Sequence, residues 1–133
     1  MTNDRVRGVV VAHAELAQAL VSAVETISGV RGALRAVSNE GRGPEELAEI
    51  IGEAAAGAET ILFVDLAGGS CGLAGLQHVR ESRGCAWVAG VNLPMLLDFV
   101  FHREMPMATL VPRLVRKGQA GQRAHPSPPA GTD

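Results

Sequence analysis

Two side chains able to do chemistry stand directly after apolar runs. His13 follows Arg5–Ala12, in which Val9, Val10 and Val11 are consecutive, and Asp65 follows Thr60–Val64. Such runs suit parallel strands covered on both faces, and open α/β folds gather their functional groups at the carboxyl ends of those strands. A histidine and an aspartate placed there can meet. A carboxylate on one imidazole nitrogen fixes the tautomer and leaves the other nitrogen exposed as a nucleophile. Gly68, Gly69 and Ser70 follow Asp65 closely. They offer backbone N–H donors and a hydroxyl at the start of a helix, where the partial positive charge favours an anion, and glycines let the backbone approach that anion. Histidine, aspartate and an anion cradle together suit transfer of a phosphoryl group through phosphohistidine.

Plainer readings compete with this one. A histidine beside a strand is often structural, and DLAGG can be a tight strand-to-helix turn. His78 and His102 fall in helical segments and read as solvated or partly buried, and His125 falls in the C-terminal tail. Cys71 could be a nucleophile at a helix N-terminus, where thiol pKa falls, but no adjacent base is evident and a small filler is the simpler reading. A zinc site from His13, Asp65 and Cys71 is geometrically conceivable, yet none of the usual ligand spacings occurs. No metal and no cofactor are therefore expected. Neither GxGxxG nor GxxxxGK[ST] is present, so a nucleotide fingerprint is missing.

These groups need a scaffold that brings them to one edge. Arg5–Ala12 reads as a strand, and from His13 the run HAELAQALVSAVETIS reads as a helix. Its periodicity puts Leu16, Ala19, Leu20, Ala23, Val24 and Ile27 on the buried face, with Gly29 as the stop. Leu34–Val37 is a short second strand and Ser38–Gly43 a loop. Pro44 opens a helix in its first turn, Glu45 and Glu46 sit at its positive end, and Leu47, Ile50, Ile51 and Ala54 face inward before Gly57. Thr60–Val64 is the third strand. Ser70 is expected to cap a helix to Ser82 that buries Leu73, Leu76 and Val79. Cys85–Val91 is a fourth strand. Asn92 caps the next helix, with Pro94 in its first turn and the run continuing to Glu104. Met107–Lys117 is a last amphipathic helix carrying Leu110, Val111, Leu114 and Val115, with Pro112 as its start or a kink. His125–Asp133 is rich in Pro, Gly and Ser and reads as a disordered tail after a single domain over 1–124.

The order is therefore β-α-β-α-β-α-β-α-α. It predicts an α/β fold: a doubly wound, mainly parallel four-stranded sheet with helices on both faces. The loops Ala12–Ala14, Val64–Ser70 and Gly90–Pro94 all follow strands and should share one edge. A length of 133 residues fits one domain. With three Phe, one Trp and no Tyr, the core is aliphatic and thin, which leaves room for burial at a subunit interface. The net charge is −2 and no basic stripe is present, so nucleic acid is not expected as a partner. Two cysteines make neither a zinc framework nor a disulfide framework. No run approaches the ~20 apolar residues of a membrane span, and the N-terminal run is too short for a signal peptide. A soluble cytoplasmic protein is expected.

VVVAHAELAQAL, ILFVDLAGGS and VAGVNLPMLLDFV together resemble the mannose-type enzyme IIA component of the bacterial phosphoenolpyruvate-dependent sugar phosphotransferase system. The likeness runs from about Val6 to about Val100, and the Gly90–Leu97 block, GVNLPMLL, is its most specific part. The resemblance implies that His13 is the phosphorylated histidine and Asp65 its hydrogen-bonding aspartate, with Gly68–Ser70 beside them. It implies phospho-HPr as donor, an enzyme IIB component on a separate chain as acceptor, and a homodimer. It also implies a fifth, C-terminal strand exchanged between subunits, for which the candidate Gly118–Ala124 is polar and glycine-rich. Asn92–Met95 matches a motif taken as shaping the pocket. After GGS the family commonly has Pro-Phe-Asn, whereas this chain has Cys71-Gly72-Leu73. That difference motivates an alternative, a regulatory module in which phosphorylation of His13 controls a protein partner and no sugar moves. The phosphotransfer subunit of the dihydroxyacetone kinase system, which has a related domain, is a third reading that the NLPML block disfavours.

Overall fold

Alternating aliphatic strands and amphipathic helices assemble as the sequence predicts. The computed structural model describes residues 5–128. The strands β1 (Arg7–Ala12), β2 (Leu34–Ser38), β3 (Thr60–Val64) and β4 (Cys85–Ala89) form one parallel sheet in the order β2-β1-β3-β4. The helices are α1 (Leu16–Ser28), α2 (Pro44–Ala55), α3 (Ser70–Glu81), α4 (Leu93–Val100) and α5 (Met107–Ala120). Side chains alternate across each strand, and this alternation divides the core in two. Val10, Ala12, Ile61, Phe63 and Val88 pack against α1, α4 and α5, with the Phe63 and Phe99 rings edge to face at 5.2 Å. Val9, Val11, Leu62 and Val64 pack against α2 and α3. The sheet is thus doubly wound, and the strand order reverses between β1 and β3. Val11 is level with Val64 in the register, so His13 and Asp65 leave the sheet side by side at this switch point.

Two helices bury only part of the face their periodicity favours: Val24 in α1 is buried and Val79 in α3 packs against the core, but other residues of that face turn outward. In α1 the buried residues are Ala17, Val21 and Val24, while Ile27 is 62% exposed and Leu16 also faces out. In α3 they are Cys71, Gly72 and Gly75, while Leu73 is 58% exposed. Each helix carries two candidate stripes, and the one with smaller residues lies against the sheet. At Gly75 an added Cβ would stand 3.2 Å from Val64 Cγ1, so α3 lies too close for a leucine there. Helix α2 follows the expectation, with Leu47, Ile51 and Ala54 buried and Ile50 partly so.

Several boundaries also move. β1 begins at Arg7 rather than Arg5, and α1 begins three residues after His13. α2 ends at Ala55, β4 stops at Ala89, and α4 stops at Val100, which leaves His102 in a turn rather than a helix. Gly29 closes α1 as expected, at φ 75° with its N–H on Glu25 O. α5 runs through Pro112 to Ala120. The candidate exchanged strand Gly118–Ala124 is therefore corrected: its first three residues are helical, and the described residues contain no fifth strand. Gly118 is buried against α4, where an added Cβ would meet Met95 Cε at 2.8 Å. Packing of this small residue favours helix where the resemblance implied a strand. The tail expectation lies partly outside the described residues, which end at Pro128.

The NLP block joins α4 to α5. Asn92 Oδ1 accepts the Met95 N–H at 3.1 Å as an N-cap, and Asn92 Nδ2 donates to Gly118 O at 3.0 Å. Pro94 lies in the first turn of α4, where its missing N–H costs nothing. Asn92→Ala removes both bonds and should cost about 2 kcal/mol. Thermal denaturation followed by circular dichroism should show Tm falling by roughly 6–10 °C. An unchanged Tm would contradict the role of this joint.

Candidate functional site

His13 and Asp65 meet at the β1/β3 switch point. His13 Nδ1 lies 2.7 Å from Asp65 Oδ2, and the same oxygen accepts the His13 backbone N–H at 2.9 Å. Asp65 Oδ1 accepts the Leu66 N–H at 3.0 Å. Burial alone would push the Asp65 carboxyl up. The backbone N–H and ring of His13, with the Leu66 N–H, outweigh it and hold the group below its ordinary 3.8. Asp65 is thus an ionised acceptor at neutral pH, which assigns the proton of the His13 ring to Nδ1 and leaves a lone pair on Nε2. The His13 side chain is 39% exposed and that of Asp65 is 10% exposed. The less exposed partner orients and the more open one can react.

Ser70 Oγ lies 3.4 Å from His13 Nε2. Ser70 does not cap α3 as expected; Gly69 holds the cap position without a side-chain bond, and Ser70 is the first helical residue. Its hydroxyl is therefore turned to the imidazole rather than to its own helix. A Cβ at Gly69 would stand 3.0 Å from His13 Cε1 and 3.4 Å from Nε2, so a side chain at this position would crowd the ring. Gly68 has open space around its Cβ position and no such constraint. Of the three expected cradle residues, Gly69 and Ser70 border the reactive nitrogen.

Cys71 is fully buried below this pair. Ligand atoms of His13, Asp65 and Cys71 all lie within 4.8 Å of one another. Burial, and after it the Asp65 carboxylate, push the thiol up. Ligation of a metal would need that thiol deprotonated and the His13–Asp65 hydrogen bond given up. The three residues fit a proton-sharing pair over a small apolar filler better than a metal set. Gly72, next in the chain, receives Trp87 Nε1–H on its carbonyl at 3.0 Å. A Cβ there would overlap Leu66 O and stand 2.5 Å from Ala67 O, both backbone atoms of the Asp65 loop. Gly72→Ala must displace that loop, at a cost of roughly 3 kcal/mol. Urea denaturation should show a clear fall in midpoint with an unchanged slope, and a wild-type midpoint would mean the loop shifts freely.

The third expected chemical loop, Gly90–Pro94, reaches the same edge, where Val91 N–H bonds Val64 O. Its polar residue, Asn92, bonds α4 and α5 instead of the histidine. Sequence reasoning missed Ser38 and Asn39, which follow β2. Ser38 Oγ donates to Ala14 O at 2.6 Å, and Asn39 Oδ1 accepts the Ala14 N–H at 3.2 Å. The strand order supplies the missing signal: β2 adjoins β1, so its end also borders His13. His78 and His102 are half-buried and lie on other contacts, His78 with Ser82 and His102 with Asp98.

The profile of the EIIA-man family, described as the PTS system fructose IIA component, matches residues 8–113. The chain belongs to this family. Membership in EIIA-man supports a phosphotransfer role in the sugar phosphotransferase system. Solved structures share the fold. Phosphotransferase system component EIIA from Streptococcus agalactiae superposes with a TM-score of 0.83 at 20% identity, over 90% of this chain and 96% of that one. The mannose/sorbose specific IIA subunit from Enterococcus faecalis gives 0.77 at 21% identity, over 96% and 99%. A sigma-54 interaction domain protein from Enterococcus faecalis gives 0.76 at 11% identity, over 90% and 95%. Comparison with curated protein sequences found no match. Among the described residues, no helix is long and apolar enough to cross a membrane.

Proposed function

We propose that this EIIA-man protein is a cytoplasmic phosphocarrier whose domain spans residues 1–124. His13 takes a phosphoryl group from phospho-HPr and yields it to an enzyme IIB component on a separate chain. The observation that carries this reading is the 2.7 Å bond from His13 Nδ1 to a half-buried, ionised Asp65, which leaves Nε2 as the free nucleophile. In the transfer, the Nε2 lone pair attacks phosphorus, the donor's N–P bond breaks, and the donor imidazole leaves with that electron pair. Positive charge that develops on the His13 ring is balanced by Asp65 through Nδ1–H. Negative charge on the phosphoryl oxygens falls beside the Ser70 hydroxyl and the N-terminal N–H groups of α3. The step then runs in reverse onto the acceptor histidine.

A protein donor suits the surroundings. Leu66 and Leu73, more than half exposed, flank the loop and the helix start next to His13. A cleft of about 560 Å³ opens beside Ser70 between α2 and α3, but His13 stands outside its lining. The nucleophile is thus on an apolar-rimmed surface rather than in a small-molecule pocket. The homodimer implied by the resemblance would have to form without strand exchange through Gly118–Ala120, which are helical.

Incubation with phosphoenolpyruvate, enzyme I and HPr, read by intact mass, tests the reading. An acid-labile gain of about 80 Da supports phosphocarrier chemistry of the covalent-intermediate kind. No gain, with HPr shown to be phosphorylated, would sink it. The regulatory alternative draws on the changed Cys71–Gly72–Leu73 surface beside the histidine, and the fold is also found in a sigma-54 interaction domain protein. It predicts phosphorylation of His13 without onward transfer to any IIB protein.

A further inference from the structure

We propose that Asn39 is a positioning residue for phosphoryl transfer, holding the His13 turn and the Ser70 hydroxyl in a fixed relation. The proposal rests on the reading of His13 as phosphoryl acceptor. Ala14, directly after that histidine, has φ 52°, the one non-glycine residue at positive φ among the described residues. An L-residue there costs roughly 1–2 kcal/mol and persists only where its surroundings hold it. Ala14 is held on both sides, its N–H by Asn39 Oδ1 at 3.2 Å and its carbonyl by Ser38 Oγ–H at 2.6 Å. The Asn39 backbone N–H also donates to Ala12 O, at 3.4 Å. One residue at the end of β2 therefore grips the chain immediately before and immediately after His13.

The same side chain reaches the second half of the site. An amide N–H such as that of Ala14 only donates, so the Asn39 oxygen must face it and the Asn39 NH₂ must face the other way. It points to Ser70 Oγ at 3.5 Å. With that oxygen accepting from Asn39, the Ser70 proton is free to turn toward His13 Nε2, 3.4 Å away. Once Nε2 carries a phosphoryl group, the same proton is available to one of its oxygens. His13 is thus set from two sides: Asp65, from β3, fixes its tautomer, and Asn39, from β2, fixes its turn and the hydroxyl opposite its free nitrogen. A neutral amide suits this place, because a carboxylate would repel the incoming phosphoryl oxygens.

Single-turnover phosphate uptake from phospho-HPr, with the decay of the isolated phosphoprotein, tests the proposal in Asn39→Ala, Asn39→Asp, Ser70→Ala and the Asn39→Ala/Ser70→Ala double variant. Asn39→Asp keeps an oxygen for the Ala14 N–H, so it reports on the Ser70 side and on an added negative charge, with the turn retained. Asn39→Ala should slow uptake about tenfold, below the 10²–10³ of a donor that touches the reacting group directly, and Asn39→Asp by more. In the Ser70→Ala background the Asn39→Ala effect should shrink to about twofold, because the two residues act in one chain. Phosphohistidine decay should change in Asn39→Ala, which adds no charge, a readout that a merely structural role would not move. Wild-type uptake in both single Asn39 variants overturns the proposal and leaves the phosphocarrier reading intact. An undiminished Asn39 effect without the Ser70 hydroxyl also overturns it. Absence of uptake in the wild-type protein overturns the phosphocarrier reading and this proposal with it.

Discussion

His13→Ala is expected to abolish phosphate uptake while the protein stays folded. The imidazole supplies the attacking nitrogen, and no other described histidine is placed with an aspartate and a helix start as this one is. The fold should tolerate the loss. The ring is more than a third exposed, and the backbone N–H of residue 13 still donates to Asp65 Oδ2, as it does at 2.9 Å in the wild type. Intact mass after incubation with phosphoenolpyruvate, enzyme I and HPr should show no gain of about 80 Da, and circular dichroism should match the wild type. A retained, acid-labile gain would remove His13 from its role.

Asp65→Asn carries the second largest effect, and hydrogen bonding decides its form. Both carboxylate oxygens are acceptors: Oδ2 for the His13 backbone N–H and Nδ1–H, Oδ1 for the Leu66 N–H. An asparagine has one oxygen and one NH₂. If its oxygen faces His13, the tautomer survives, but the charge that balances the ring is lost and NH₂ meets the Leu66 N–H. If its NH₂ faces His13, Nδ1 must accept, the ring proton moves to Nε2, and the nucleophilic lone pair is gone. Either arrangement slows transfer, by roughly 10²–10⁴ by analogy with a mispaired His–Asp couple. Single-turnover uptake measures it, and a wild-type rate would show Asp65 to be a turn residue only.

The same variant predicts a change in acid stability. The folded-state pKa of Asp65 lies below the ordinary 3.8, so its ionised form binds fewer protons in the folded than in the unfolded chain. Its contribution is fully present above 3.8 and is lost as pH falls from there through the lower folded value. Asp98 acts in the same sense: burial pushes it up, but Arg113, bonded at 2.7 and 2.9 Å, holds it down. Urea midpoints measured at pH 7 and pH 3 should therefore converge for Asp65→Asn relative to wild type. Asp98 keeps some acid sensitivity in the variant. Equal acid losses in both proteins would contradict the assigned direction.

What the sequence determined by itself is local and periodic. Three consecutive valines before His13 and four apolar residues before Asp65 mark strands buried on both faces, and their ends lie where an open α/β sheet gathers its chemistry. Asn92 followed by Leu93 and Pro94 marks a helix start, and Gly29 a helix stop. These signals need only a residue and its near neighbours, so the element order and the His13–Asp65 pairing were legible without coordinates.

The tertiary structure decided what depends on the surface opposite. α1 and α3 each carry two apolar stripes, and the sheet admits the one with alanine, valine, cysteine or glycine because the helices lie close against it. The resemblance implied a strand in the segment after Lys117, yet Gly118 fits beneath Met95 and Asn92 and the helix continues. Asn39 is one polar residue in a loop until strand order places β2 beside β1, and with it an amide between Ala14 and Ser70. Each of these outcomes is a choice among local patterns of similar free energy. The contact that tips the choice comes from a residue distant in the chain, so no window of sequence contains it.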